Sequence, residues 1–128
     1  MLRIILALVI GAHGIGHILF LIPLLGIAEW GQPQRSWLLT GESAARVIGG
    51  ALWVVVILAF GAAVIGLLGQ QGWWRTAAVI GAVISMIGLV LFWTMPVSAP
   101  VISALVFNLL VLGALLIVHW PSVDAVGA

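Results

Sequence analysis

The chain has 128 residues, of which 65% are apolar and 5% charged, with a formal net charge of +1. A soluble domain carries about 25% charged residues, and one this small has too little interior to hide so much apolar surface. A water-soluble globule is therefore excluded. So is cysteine, lysine or nucleic-acid chemistry: there is no Cys, no Lys and no basic patch.

A membrane-crossing helix needs about 20 mostly apolar residues, and four such stretches follow one another. The first runs from about Arg3 to Ala28 and contains Pro23, which marks a kink or a last turn because it lacks a backbone donor. Its Arg3 and Ile4–Ile10 start has the form of a signal peptide, but the apolar run continues to Ala28, so it reads as an uncleaved span. A polar connection from Glu29 to Glu42 follows, with Gly-Gln-Pro-Gln-Arg-Ser at Gly31–Ser36. The second stretch runs from about Ala44 to Gly69, with Ser43 or Thr40 as its cap. The third covers about Trp73 to Met95, and the fourth about Pro100 to Trp120, with Pro100 in its first turn and Pro121 at its end. The links 69–72 and 96–99 are short, which makes stretches two, three and four antiparallel neighbours. The expected architecture is an all-α, single-domain, antiparallel four-helix bundle integral to a membrane.

Tryptophan placement agrees. Trp30, Trp73, Trp74, Trp93 and Trp120 fall at helix ends, where an apolar ring with a polar N–H favours the lipid–water interface. Trp37 lies in the polar connection, and Trp53 lies ~15 Å into helix 2 at 1.5 Å per residue. Four spans put both termini on one side. Basic residues divide two against two, leaving a narrow preference for termini in the cytoplasm of a bacterial inner membrane.

In lipid, helices associate by close backbone approach rather than by burial. Small residues recur at Ala77, Gly81, Ser85 and Gly88, at Ala45–Gly49, at Ala62–Gly66 and at Ala12–Gly16. These stripes serve packing within the chain, or docking of other membrane subunits or of a second copy. Glu42 precedes Arg46 by four residues, the favourable order for an ion pair in a first turn.

His13 and His17, in Gly11-Ala-His-Gly-Ile-Gly-His17, share one helix face one turn apart. His13 is ~15 Å from Arg3, near the bilayer centre, and His17 is ~6 Å further along. Polar groups at that depth face the bundle interior and point to function. Counting from helix ends brings Ser85, Asn108 and Trp53 to the same level, so a cluster of His13, His17, Ser85, Asn108 and the Trp53 N–H is expected. His119, at the end of helix 4, reads as interfacial. No Cys, Asp or Glu lies at this depth, which argues against a closed metal site. One His can serve as axial ligand to haem or a pigment, or touch a quinone, and nearby glycines would admit a flat ring. A small-molecule transporter using His as proton carrier is a further class, although relays of that kind use an embedded carboxylate that this chain lacks. The bland alternative is histidines bonded to backbone carbonyls or to Asn108.

Leu-Arg-Ile-Ile-Leu-Ala-Leu at the start, Ala-His13-Gly-Ile-Gly-His17, Gly-Trp-Trp-Arg75, Val-Leu-Phe-Trp93 and Phe107-Asn108-Leu-Leu together resemble small bacterial four-helix membrane proteins of DoxX-like type. The resemblance implies a link to quinone-dependent redox complexes and accessory roles, without implying any catalytic residue. The lack of Cys argues against thiol-dependent versions of such a role. The reading that results is a non-catalytic accessory or scaffold subunit of a larger membrane complex, with a cofactor-, pigment- or quinone-binding protein and a transporter as the alternatives.

Overall fold

A computed structural model describes residues 1–30 and 35–128. Among them the regular structure is all helical, with no strand. Four helical stretches are long and apolar enough to cross a membrane: Leu2–Leu24, Glu42–Leu68, Trp74–Leu91 and Ala99–Val118. The Gly31–Gln34 part of the expected polar connection lies outside the described residues.

The first stretch is not one uniform helix to Ala28. It consists of α1 (Leu2–Gly16) and α2 (Ile18–Leu24), joined at His17. The His17 side chain donates from Nδ1 to the His13 carbonyl, 3.0 Å away, which is the acceptor its own backbone N–H would use in an α-helix. That N–H turns instead to the Gly14 carbonyl at 3.2 Å, tightening the turn locally. The helix then stops at Leu24 because Gly26 takes a left-handed φ of +73°. Its N–H bonds to the Pro23 carbonyl and that of Ile27 to the Ile22 carbonyl, satisfying two end carbonyls in a Schellman arrangement. Pro23 thus sits in the last turn. The stop signal is Gly26, a residue readable from the sequence.

Helix α3 (Glu42–Leu68) starts at Gly41, which is extended and makes no side-chain cap; neither Ser43 nor Thr40 has that position. The expected ion pair is present, with Arg46 Nη2 to Glu42 Oε1 at 3.3 Å, exposed at the surface. The helix ends in a second Schellman arrangement, with Gln70 at φ +57° and the Gln71 N–H on the Gly66 carbonyl at 2.7 Å. Helix α4 (Trp74–Leu91) ends four residues before Met95. Met95 precedes Pro96 and is biased away from helix. Helix α5 (Ala99–Leu112) starts from an extended Ser98, with Pro100 in its first turn, and continues through a wider π-helical segment, Gly113–Val118. A left-handed His119, φ +54°, ends it. A short α6 (Val123–Val126) follows, capped by Ser122 Oγ, which accepts from the Ala125 N–H; no such element is expected from the sequence.

Helix α3 is the central element, packed against α4, α1 and α2, while α5 lies against α4. The core runs through Val56, Phe60, Ala63, Leu67, Ala78 and Ala82, all fully buried. The small residues of helix α4 are used inside the chain. A Cβ on Gly81 would stand 3.2 Å from the Phe60 ring, and one on Gly88 would stand 2.6 Å from Cη2 of Trp53. Gly49 gives way to Leu24 and Phe92 in the same manner. The Ala12–Gly16 pair does not pack: Ala12 is exposed and a Cβ on Gly16 would meet nothing within 4 Å. On that helix the close approach is made by Gly14, whose Cβ would lie 2.7 Å from Phe60 Cβ.

Trp73, Trp93 and Trp120 are exposed at or just beyond helix ends, as expected; Trp30 is exposed too, but lies six residues past the end of α2, because the helix stops at Leu24. Trp74 is not; it is 1% exposed. The Arg75 guanidinium lies over its ring at 4.9 Å, and Gly66 lets the Trp73 ring and the Trp74 Cβ come close. Arg75 also donates to the carbonyls of Pro121 (2.7 Å) and Ala128 (3.2 Å), holding the segment after α5 against the start of α4. Trp37 has an exposed ring, yet its Nε1–H donates to the Val90 carbonyl at 2.6 Å and ties the polar connection to the last turn of α4. Trp37→Phe keeps an aromatic ring, though a smaller one, and deletes the donor. The expected result is a local loosening of about 0.5–1.5 kcal/mol, read as faster amide exchange at Leu38 and Leu39 while amides within α4 keep their protection.

Candidate functional site

The polar groups expected at one level do meet. His13 lies at the middle of the Leu2–Leu24 stretch, and Asn108 is central in Ala99–Val118. Buried Ser85 of α4 and buried His17 complete the group. Four hydrogen bonds link them: His13 Nε2 with Asn108 Oδ1 at 3.1 Å, Asn108 Nδ2 with Ser85 Oγ at 2.7 Å, Ser85 Oγ with His17 Nε2 at 2.7 Å, and His17 Nδ1 with the His13 carbonyl at 3.0 Å.

The chemistry of the partners assigns the hydrogens. A carbonyl only accepts, so His17 carries its hydrogen on Nδ1. In the neutral ring His17 Nε2 is then a lone pair and accepts the Ser85 hydroxyl. Ser85 Oγ in turn accepts from the Asn108 amide. The amide oxygen accepts from His13, which must carry its hydrogen on Nε2. The result is a closed, one-way ring of donors from the His13 side chain round to the His13 carbonyl. Every buried polar atom in it is satisfied, which matters because an orphaned buried group costs about 1–3 kcal/mol. One valence is left over, the lone pair on His13 Nδ1, which has no hydrogen-bond partner among the described residues.

Aromatic rings enclose this network. His13 stacks on Phe107 with ring centres 3.9 Å apart and planes at 20°, and meets Phe60 edge-on at 5.0 Å. His17 lies 5.9 Å from Phe60 and 5.7 Å from Trp53. Trp53 is present, but not as expected. Its Nε1–H has no partner and does not join the cluster; the ring instead stacks on Phe20 at 5.1 Å. The geometry that lets Trp53 wedge over Gly88 orients it for ring contact rather than for donation. The three Phe walls are not singled out by spacing, because Phe in an apolar helix carries no signal of its own. His119 is exposed, away from the group.

These details limit what the site can hold. Both nitrogens of His17 and Nε2 of His13 are engaged, so neither imidazole can ligate a haem or pigment metal through those atoms without breaking the ring. Among the described residues no group of three or more His, Asp, Glu or Cys forms a metal site. The opening beside His13 has a volume near 160 Å³. A cavity of about 150 Å³ accommodates benzene, so the opening is large enough for one six-membered ring. Comparison of the chain with protein-family models, with curated proteins and with solved structures finds no match.

Proposed function

We propose that the protein is an integral membrane protein, with its four long helices crossing a bacterial inner membrane as an antiparallel bundle, and that it serves as a non-catalytic accessory or scaffold subunit of a larger membrane complex. The short links 69–73 and 92–98 between successive helices support the antiparallel arrangement. The contact between α1 and α6 supports both chain ends lying on one side, which we place in the cytoplasm. Large apolar side chains such as Leu8, Leu58, Ile80 and Leu110 stand exposed around the outside, a surface suited to hydrocarbon.

The observation that carries the scaffold reading is the closed polar ring. A catalytic or proton-carrying constellation keeps its reactive atoms open; here every donor and acceptor but the His13 Nδ1 lone pair is taken up within the ring, which ties the first, third and fourth stretches together. The DoxX-like resemblance points the same way. A partner is best sought on the fourth stretch, where only 17% of the most apolar window is buried, against 28, 33 and 39% in the others. A photo-crosslinking residue at Leu110 is expected to give one discrete adduct in native membranes, and one at Leu58 none. Gently purified protein is expected to show no visible absorption band. A band that travels with the protein and disappears in His17→Ala overturns this reading, as does proton-driven flux in liposomes that depends on His13 and His17.

A further inference from the structure

Close backbone approach between α1 and α5 is sparse; these helices meet mainly through side chains, and a gap lies between them. His13, Gly16 and Phe20 line it on one side, Pro100, Ser103 and Ala104 on the other. Open space at Gly16 is evident independently, since a side chain there would touch nothing. We propose that this cleft binds a membrane-dissolved phenol, a single aromatic ring whose hydroxyl donates to Nδ1 of His13.

Three features select that class. The ring of hydrogen bonds fixes Nδ1 as an acceptor, so the ligand must bring a donor. A quinone offers only carbonyl acceptors and finds no donor on this atom. At the middle of the stretch water is scarce, and an unmet imidazole lone pair in an apolar setting is unfavourable; a hydroxyl arriving from the lipid phase relieves it. The volume, near 160 Å³, fits one ring, and the walls of Phe20, Pro100 and Ala104 offer it apolar contact. Ser103, whose hydroxyl reaches the Pro100 carbonyl only at 3.4 Å, is a second polar group on the rim.

The chain has three histidines, so ¹⁵N-histidine labelling of the full protein in lipid nanodiscs gives a resolvable spectrum. Added phenol is expected to move the His13 Nδ1 resonance upfield, as a lone pair does on accepting a hydrogen bond, with His17 and exposed His119 unmoved. Toluene and anisole, of similar shape but without a donor, are expected to leave it in place. Gly16→Leu fills the cleft from a position where an added Cβ meets nothing within 4 Å, and is expected to abolish the phenol response while the His17 signals still show the ring of hydrogen bonds intact. Ala12→Leu, from the exposed rim of the same opening, provides the same test if the first variant folds poorly. The proposal fails if phenol leaves Nδ1 unmoved, if toluene or anisole acts as strongly, or if a folded, cleft-filled variant responds like the wild type.

Discussion

Asn108→Leu is expected to destabilise the folded chain by at least roughly 2 kcal/mol. The two side chains are close in size, so little cavity forms and the effect isolates the polar term. Two groups lose their partner at once: the His13 Nε2–H loses its acceptor, and Ser85 Oγ loses a donor. A single interhelical hydrogen bond in a membrane is worth only about 0.6 kcal/mol on average, because the unfolded segment finds other partners in the lipid. The larger effect here comes from opening a closed ring in which Ser85 and His17 are buried and cannot find other partners. Unfolding in a denaturing detergent, followed by tryptophan fluorescence, measures it. Ser85→Ala alone should cost less, and the double variant should cost less than the sum of the two, since the second substitution acts on a ring already open. An unchanged midpoint for Asn108→Leu would show that the polar centre contributes nothing to holding the helices together.

Gly81→Leu is expected to be worse still. A Cβ at this position already stands 3.2 Å from Phe60 Cδ2 and Cε2. Phe60 is fully buried and cannot retreat, because His13 meets it edge-on and His17 stacks beside it. Overpacking commonly costs about 1–3 kcal/mol. The three further carbons of Leu must here force apart α3 and α4, the most closely packed pair in the molecule. Loss of the monodisperse species in mild detergent is the expected readout, by size-exclusion chromatography. A monodisperse variant with the wild-type midpoint would mean that α3 and α4 do not meet through this glycine. Gly16→Leu is the matched contrast: same residue pair, similar level, open space, and an expected midpoint close to wild type.

Much of this was legible from particular residues. The level of His13, His17, Ser85 and Asn108 follows from counting along helices of known rise, because position along an axis accumulates at 1.5 Å per residue. The assignment of Trp53 to the same slab follows equally, but its role does not. Whether an indole presents its N–H or its face depends on how far the helix is rotated and on what packs against it, and Gly88 decided that. Trp74 illustrates the same limit: it sits at a helix end like its neighbour Trp73, yet it is buried while Trp73 stays exposed, a difference set by the rotation of the helix. The stop at Gly26 was readable as a C-terminal glycine signal, whereas Gln70 at φ +57° carries no such mark.

The order of the long helices, their helical nature and the level of each polar residue along its helix are properties of the chain read one residue at a time, because long apolar runs mark the helices and helical rise sets the level. Which small residues are packed and which stand over open space, which way each histidine carries its hydrogen, and that a single imidazole nitrogen remains unpaired were decided only when the helices met. Rotation about a helix axis and lateral contact depend on all neighbours at once. A closed ring of hydrogen bonds exists only when every member has been placed.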